Sequence, residues 1–119
     1  MWYKRKDRYF KNRGCKDKNG KYSLHPSYIV GEERNKYYAL GITHEDRKDS
    51  KHKNHKLSRN PNTLSNSTRA SYMKKQIELA TKYQFYNRLY GYRMSPEDDD
   101  YVDKLVEKKR KYLSENKKK

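Results

Sequence analysis

Cysteine is all but missing from this chain. Cys15 stands alone, so no disulfide can form within the chain. That excludes a disulfide-stapled scaffold and fits a reducing compartment. Apolar residues are scarce as well, at 31% of 119. No run approaches the roughly 20 apolar residues a membrane-crossing helix needs. The start, Met1-Trp2-Tyr3-Lys4-Arg5, has no apolar signal core. A cytoplasmic protein without membrane contact is expected. Acidic residues are the third shortage: 15 Asp and Glu face 31 Lys and Arg, for a formal net charge of +16. So large a surplus in a short chain costs self-repulsion, which a polyanionic partner relieves.

What the chain does have is tyrosine, 13 of them. With so few aliphatic residues the core is small, and tyrosine rings are expected to fill much of it. Rings left outside could stack on bases. Basic charge beside exposed aromatics points to RNA or another single-stranded nucleic acid. An acidic protein or a membrane surface is the other partner such charge fits.

The chain reads as a basic N-terminal arm, residues 1–21, and a single nucleic-acid-binding domain, residues 22–119, with a C-terminal helix and a short basic tail. In the arm, Trp2, Tyr3, Tyr9 and Phe10 are candidate anchors, and folding only on phosphate is the alternative. Asp17-Lys18-Asn19-Gly20 is a turn signal. Ser27-Tyr28-Ile29-Val30 favours a strand with Pro26 at its start, Gly31 to Asn35 a polar turn, and Lys36 to Thr43 the returning strand. Residues 44–71 form a long polar connection in which only Leu57 and Leu64 look like anchors. Over 72–91 two readings compete. Gln76-Ile77-Glu78-Leu79 fits a short strand, whereas Tyr83, Tyr86, Leu89 and Tyr90 recur at helical steps, with Gly91 as a helix end. Residues 95–113 carry a strong helix signal: Ser95 as cap, Pro96 at the first helical position, and Asp98 placed to complete a reciprocal cap.

Four histidines, His25, His44, His52 and His55, raise the question of metal. A zinc site needs four protein ligands, or three and water, and the lysine-rich loop around His52 and His55 does not supply them. Asp98, Asp99 and Asp100 resemble a two-metal carboxylate cluster, but the helix cap explains them. No cofactor and no metal are expected. Metal-independent RNA cleavage needs less: a base for the 2′-hydroxyl, an acid for the leaving oxygen, and a cation for the developing charge. His25, Thr43, His44 and Arg47 lie at or beside the hairpin ends and are the candidate catalytic residues. Lys16, Lys18, Lys21, Lys36, Lys48, Lys51, Lys53, Lys56 and Arg59 are candidate phosphate contacts. Tyr37 or Tyr38 is a candidate base platform, one ring outward and the other inward because side chains alternate along a strand.

His25-Pro26-Ser27-Tyr28-Ile29-Val30, Leu40-Gly41-Ile42-Thr43-His44, Ser71-Tyr72-Met73 with Gln76-Ile77, and Tyr92 to Asp98 with the following helix occur in an order that resembles the MazF, PemK and ToxN superfamily of ribonuclease toxins. The resemblance spans roughly His25 to Leu113. It implies an α+β fold, a small SH3-like barrel or curled antiparallel sheet followed by a C-terminal helix. It also implies cleavage of single-stranded RNA without metal and a protein antitoxin as partner. Thr43 falls on the family's catalytic threonine. His25 falls where the family has arginine, a departure that loses the guanidinium clamp. Asn60-Pro61-Asn62 and the lysine-histidine loop are more similar to small basic proteins of Gram-positive mobile elements. The expected function is therefore binding of RNA or single-stranded nucleic acid, with cleavage as its sharper form. A non-enzymatic accessory protein of a mobile element and a protein inhibitor of a nucleic-acid enzyme are the alternatives.

Overall fold

The computed structural model describes residues 1–16, 18–44 and 54–117. Seven strands, β1 (Tyr9–Lys16), β2 (Tyr22–Glu33), β3 (Lys36–Thr43), β4 (His55–Lys56), β5 (Tyr72–Met73), β6 (Glu78–Thr81) and β7 (Phe85–Arg88), precede one helix, α1 (Pro96–Lys117). All pairings are antiparallel, in the order β4-β5-β3-β2-β1-β7, and β6 pairs with β3 as a branch.

The α+β class and the C-terminal helix are present, but the expected barrel is not. A barrel requires every strand to be paired on both sides. Here β7 pairs with β1 and β6 pairs with β3, and the 3-10 turn Lys82–Gln84 carries the chain between them without a β6–β7 ladder. The sheet is open, neither closed as an SH3-like barrel nor strongly curled.

The hairpin of β2 and β3 forms the centre. Its loop is shorter than the sequence suggested. Both strands run on to Glu33 and Lys36, and Arg34 takes a left-handed φ of 55° to make the turn. Pro26 lies inside β2, opposite Asn12, rather than at a strand start. A register shift between Ile29 and Gly31 marks a bulge. Alternation sends Tyr28, Tyr38, Leu40 and Ile42 into one core with Phe10, Met73, Val102 and Val106. Ile29, Tyr37 and Ala39 enter a second with Ala80 and Phe85. Both faces of the hairpin are covered, which explains its nearly unbroken apolar runs.

The stretch read as a basic arm is built into the sheet. β1 lies between β2 and β7. Phe10 is buried against Tyr28, ring centroids 4.6 Å apart. Ahead of it, Trp2 bridges to Gly31 and stacks on Tyr38 at 4.2 Å. Gly31 permits this approach: a Cβ there would lie 2.7 Å from the Met1 carbonyl oxygen. Asn19 and Gly20 turn the chain into β2, with Gly20 at φ 80°.

Residues 72–91 resolve as strands and a 3-10 turn, so the helical alternative is wrong there. In the polar connection Leu57 is buried as expected, whereas Leu64 is exposed. Helix α1 begins where its cap signature put it. The Asp98 N–H donates to Ser95 Oγ at 3.2 Å, and Ser95 Oγ donates back to Asp98 Oδ2 at 2.7 Å. Asp98 also accepts from the Ser58 N–H at 2.9 Å and the Ser58 hydroxyl at 3.0 Å, and lies 3.2 Å from His55 Nε2. Burial alone would raise this carboxyl, but these hydrogen bonds outweigh it and hold Asp98 below the ordinary carboxylate range. His55, stacked on Tyr101 at 3.9 Å, thereby ties β4 to the helix start.

On the neighbouring turn, Arg8 reaches Asp99 at 3.3 Å and Asp103 at 2.8 Å, and Tyr28 donates to Asp99 at 2.7 Å. Burial pushes the Asp99 carboxyl up despite these partners. Arg5 adds pairs to Asp100 and Asp103. Among the described residues no helix is long and apolar enough to cross a membrane.

Candidate nucleic-acid interface

The register of the sheet decides which candidate residues meet. His25 pairs with Arg13 across β1 and β2, so the two side chains share a face. The β2–β3 ladder ends at Ser27 and Gly41. His25 lies two residues before Ser27 and Thr43 two residues after Gly41, so alternation puts both on the Ser27–Gly41 face. The candidate pair thus occupies one face at one end of the hairpin. His25 is exposed, its Nε2 3.0 Å from Ser23 Oγ. Thr43 is half-buried and paired with Tyr72.

Two cations join this face that sequence reading missed. The Arg13 guanidinium donates to Gln84 Oε1 from Nε at 3.2 Å and from Nη2 at 3.0 Å, pairs with Glu78, and lies over the Phe85 ring at 5.6 Å. Lys74 drapes its stem over Gly41: its Cδ would lie 3.2 Å from a Cβ there. Arg13 is one of three basic residues in β1. Its opposition to His25 appears only once the strand and its register are known.

The other candidates scatter. His44 follows Thr43 on the chain and its Nδ1 lies 3.1 Å from the Ala70 carbonyl oxygen. Arg47, Lys48, Lys51 and Lys53 lie outside the described residues, as does His52. Lys36 opens β3 at the loop end of the hairpin, remote along the strand from Thr43. Lys56 is exposed on β4, and Arg59 is exposed beyond it. Neither tyrosine of the expected base platform is available. Tyr37 and Tyr38 do point to opposite faces, but both faces are covered: Tyr37 meets Phe85 edge-on at 5.2 Å and Tyr38 lies under Trp2.

The exposed rings are elsewhere. Tyr22 and Tyr86 join hydroxyls at 2.5 Å and lie across β1 at Gly14, where a Cβ would come within 1.9 Å of the Tyr22 hydroxyl oxygen. That shared hydrogen bond, with a small contribution from burial, holds the Tyr22 phenol above its ordinary value. Both rings keep about half their surface in solvent, at 51% and 49%. Lys16 pairs with Tyr22 across the strands, and Lys18 and Lys21 flank the same turn, all exposed. The end of the β1–β2 hairpin therefore offers aromatic faces and Lys16 on one side, Lys18 and Lys21 at the turn, and His25, Arg13 and Lys74 toward the other. Lysines attract a phosphodiester chain, open ring faces accept bases, and an imidazole beside a guanidinium can shift protons near phosphate.

Among the described residues no group of three His, Cys, Asp or Glu side chains is placed to hold a metal ion. Compared with protein-family models, with curated proteins and with solved structures, the chain matches none.

Proposed function

We propose that the protein binds single-stranded RNA, or a chemically similar single strand, at the end of the β1–β2 hairpin. The observation that carries this is the exposed Tyr22–Tyr86 pair set beside Lys16, Lys18 and Lys21. Stacking a base on such a ring is worth about 1–3 kcal/mol. Each lysine that meets a phosphate adds a salt-dependent contribution, about 0.7 to the slope of log affinity against log salt on a single strand. Cleavage is a second reading, favoured by one observation: His25 and Thr43 fall on one face of the sheet with Arg13. On that reading His25 takes the 2′-hydroxyl proton as that oxygen attacks phosphorus and returns it to the departing 5′-oxygen, Thr43 positions the phosphate, and Arg13 offsets the developing negative charge.

Labelled single-stranded RNA in EDTA separates the two. Salt-sensitive binding should weaken about tenfold or more in a Tyr22→Ala/Tyr86→Ala double variant, the loss of one stacked base. Unchanged affinity in that variant would refute the interface. Discrete cleavage that disappears in His25→Ala/Thr43→Ala would establish the second reading. Binding without product would retire it for that substrate and leave a binding module.

A further inference from the structure

Where β1 begins and β7 ends, the surface folds into a cavity of about 410 Å³ at the foot of α1. Its wall is cationic, with Arg5, Lys6, Arg8, Arg88 and Arg93 against one acid, Asp99. That acid is already engaged by Arg8 and Tyr28. Among the described residues no carboxylate pairs with Lys6, Arg88 or Arg93. Arg88 instead lies over two tyrosine rings, 4.8 Å from the centroid of Tyr9 and 5.0 Å from that of Tyr90. The Arg8 side chain is only 4% exposed. Its Nε is the one buried side-chain polar atom, among the described residues, with no hydrogen-bond partner. A buried donor left unmatched in a folded protein calls for an explanation, and a missing acceptor is a direct one.

These features describe a ligand. Unpaired guanidinium groups match an oxyanion with several acceptor oxygens. Tyr90, 81% exposed at the mouth, offers a ring face to a planar group. The volume falls in the range of small-molecule sites and suits one nucleotide rather than a length of strand. We infer that this cavity binds a nucleoside monophosphate unit, its phosphate among Arg8, Arg88 and Arg93 and its base against Tyr90. The unit can come as a free nucleotide or as the 5′-phosphorylated end of a strand. The strand source rests on the RNA-binding reading above, and the free-nucleotide source does not.

The test uses the full chain and Arg88→Ala, an exposed strand-end substitution, with circular dichroism to verify folding; Arg93→Ala serves as the second variant. AMP, adenosine and inorganic phosphate are titrated by calorimetry. A short single-stranded RNA is compared with and without its 5′-phosphate. AMP should bind more tightly than adenosine or phosphate, and each variant should weaken it about tenfold, the loss of one charge-assisted contact. A 5′-phosphate preference that vanishes in Arg88→Ala identifies the strand end as the source. AMP binding without that preference identifies the free nucleotide. Failure of AMP to bind, together with equal affinity for the two RNAs, overturns the inference. So does AMP affinity no greater than that of phosphate, or unchanged in both variants. AMP binding without any RNA binding would uphold the cavity while removing the RNA-binding reading.

Discussion

Asp98 and Asp100 are two residues apart on the first turns of α1 and carry the same charge, yet their removal should have very different consequences. The Asp98 side chain is 5% exposed and accepts from Ser95, from the Ser58 N–H and hydroxyl, and from His55 when that ring presents a proton. Asp98→Ala strips the acceptor from a helix cap and from a backbone N–H that secures the β4 segment. Hydrogen bonds to an ionised acceptor are worth about 1.5–3 kcal/mol each. The Ser58–Ser95 hydroxyl contact at 2.6 Å survives, and half-exposed His55 contributes little. The Asp98 N–H still caps on Ser95 Oγ, so the net loss is set by the Ser58 N–H and the Ser95 hydroxyl that donate to the carboxylate, about 3–4 kcal/mol. For a domain of this size that lowers the melting temperature by roughly 10–15 °C. Asp98→Asn retains one carbonyl acceptor and should lose about half as much. Asp100→Ala breaks only an exposed pair with Arg5 and should cost under about 1 kcal/mol.

The assay is urea and thermal unfolding, followed by helix circular dichroism and by Trp2 emission. Its pH dependence carries a second signature. The folded Asp98 carboxyl titrates below the ordinary carboxylate value of about 3.9. Its stabilisation is therefore complete above that value and is lost as pH falls through the lower folded value. Asp103 behaves the same way, because its bonds from Arg5 and Arg8 outweigh burial. Asp99, raised by burial, works in the opposite sense. The difference between wild type and Asp98→Asn isolates Asp98, and it should shrink on acidification below about pH 4. A cost for Asp98→Ala within about 0.5 kcal/mol of that for Asp100→Ala, or a difference independent of pH, would refute the reasoning.

Two other substitutions probe the sheet. Gly31→Ala should cost about 1–3 kcal/mol, because its Cβ meets the Met1 carbonyl oxygen at 2.7 Å, and Trp2 emission should shift to the red as its stack on Tyr38 loosens; native-like emission and stability would show that the N-terminal segment yields at no cost. Phe10→Ala should cost about 3–5 kcal/mol in urea unfolding, since the ring is 2% exposed between Tyr28 and Tyr92; a loss near that of a surface substitution would mean β1 is not part of the core.

The parts legible in the sequence were those specified locally. Ser95, Pro96 and Asp98 define a helix start without reference to anything else. Lys36 to Thr43 is a nearly continuous run of strand-favouring residues entered from a polar turn. β1 was hidden because its second face carries cationic side chains laid over aromatic rings rather than apolar residues. Lys11 lies over Tyr37 at 5.4 Å and Arg13 over Phe85 at 5.6 Å, so an ordinary apolar-polar count scores these positions as solvent. The helical spacing of Tyr83, Tyr86, Leu89 and Tyr90 arises from a 3-10 turn followed by a bulged strand. Strands of two residues, as β4 and β5 are, have no period to detect. The site failed in the same way. His25 and Thr43 could be placed near one another from hairpin logic, but Arg13 and Lys74 arrive through pairings that only the complete sheet defines. The rule that Tyr37 and Tyr38 point oppositely held. What it left out was that both faces are covered.

The distribution of the few acids bears on function more than the net charge does. Asp98, Asp99 and Asp103 are committed to the seam between α1, β4 and the segment before β1. Glu78 is committed to Arg13 and Glu32 to Lys82. Carboxylates thus close contacts within the fold, while Lys16 and Lys18 on the hairpin end and Lys6, Arg88 and Arg93 around the cavity are left without a carboxylate partner among the described residues. A surplus spread evenly would favour solubility and little else. Concentrated beside open tyrosine rings at two places, it underlies both proposals made above: strand binding at the exposed hairpin end, and binding of a single phosphorylated unit in the recess. The two differ in shape rather than composition, so salt should weaken both, while only the recess should distinguish a 5′-phosphate from a 5′-hydroxyl.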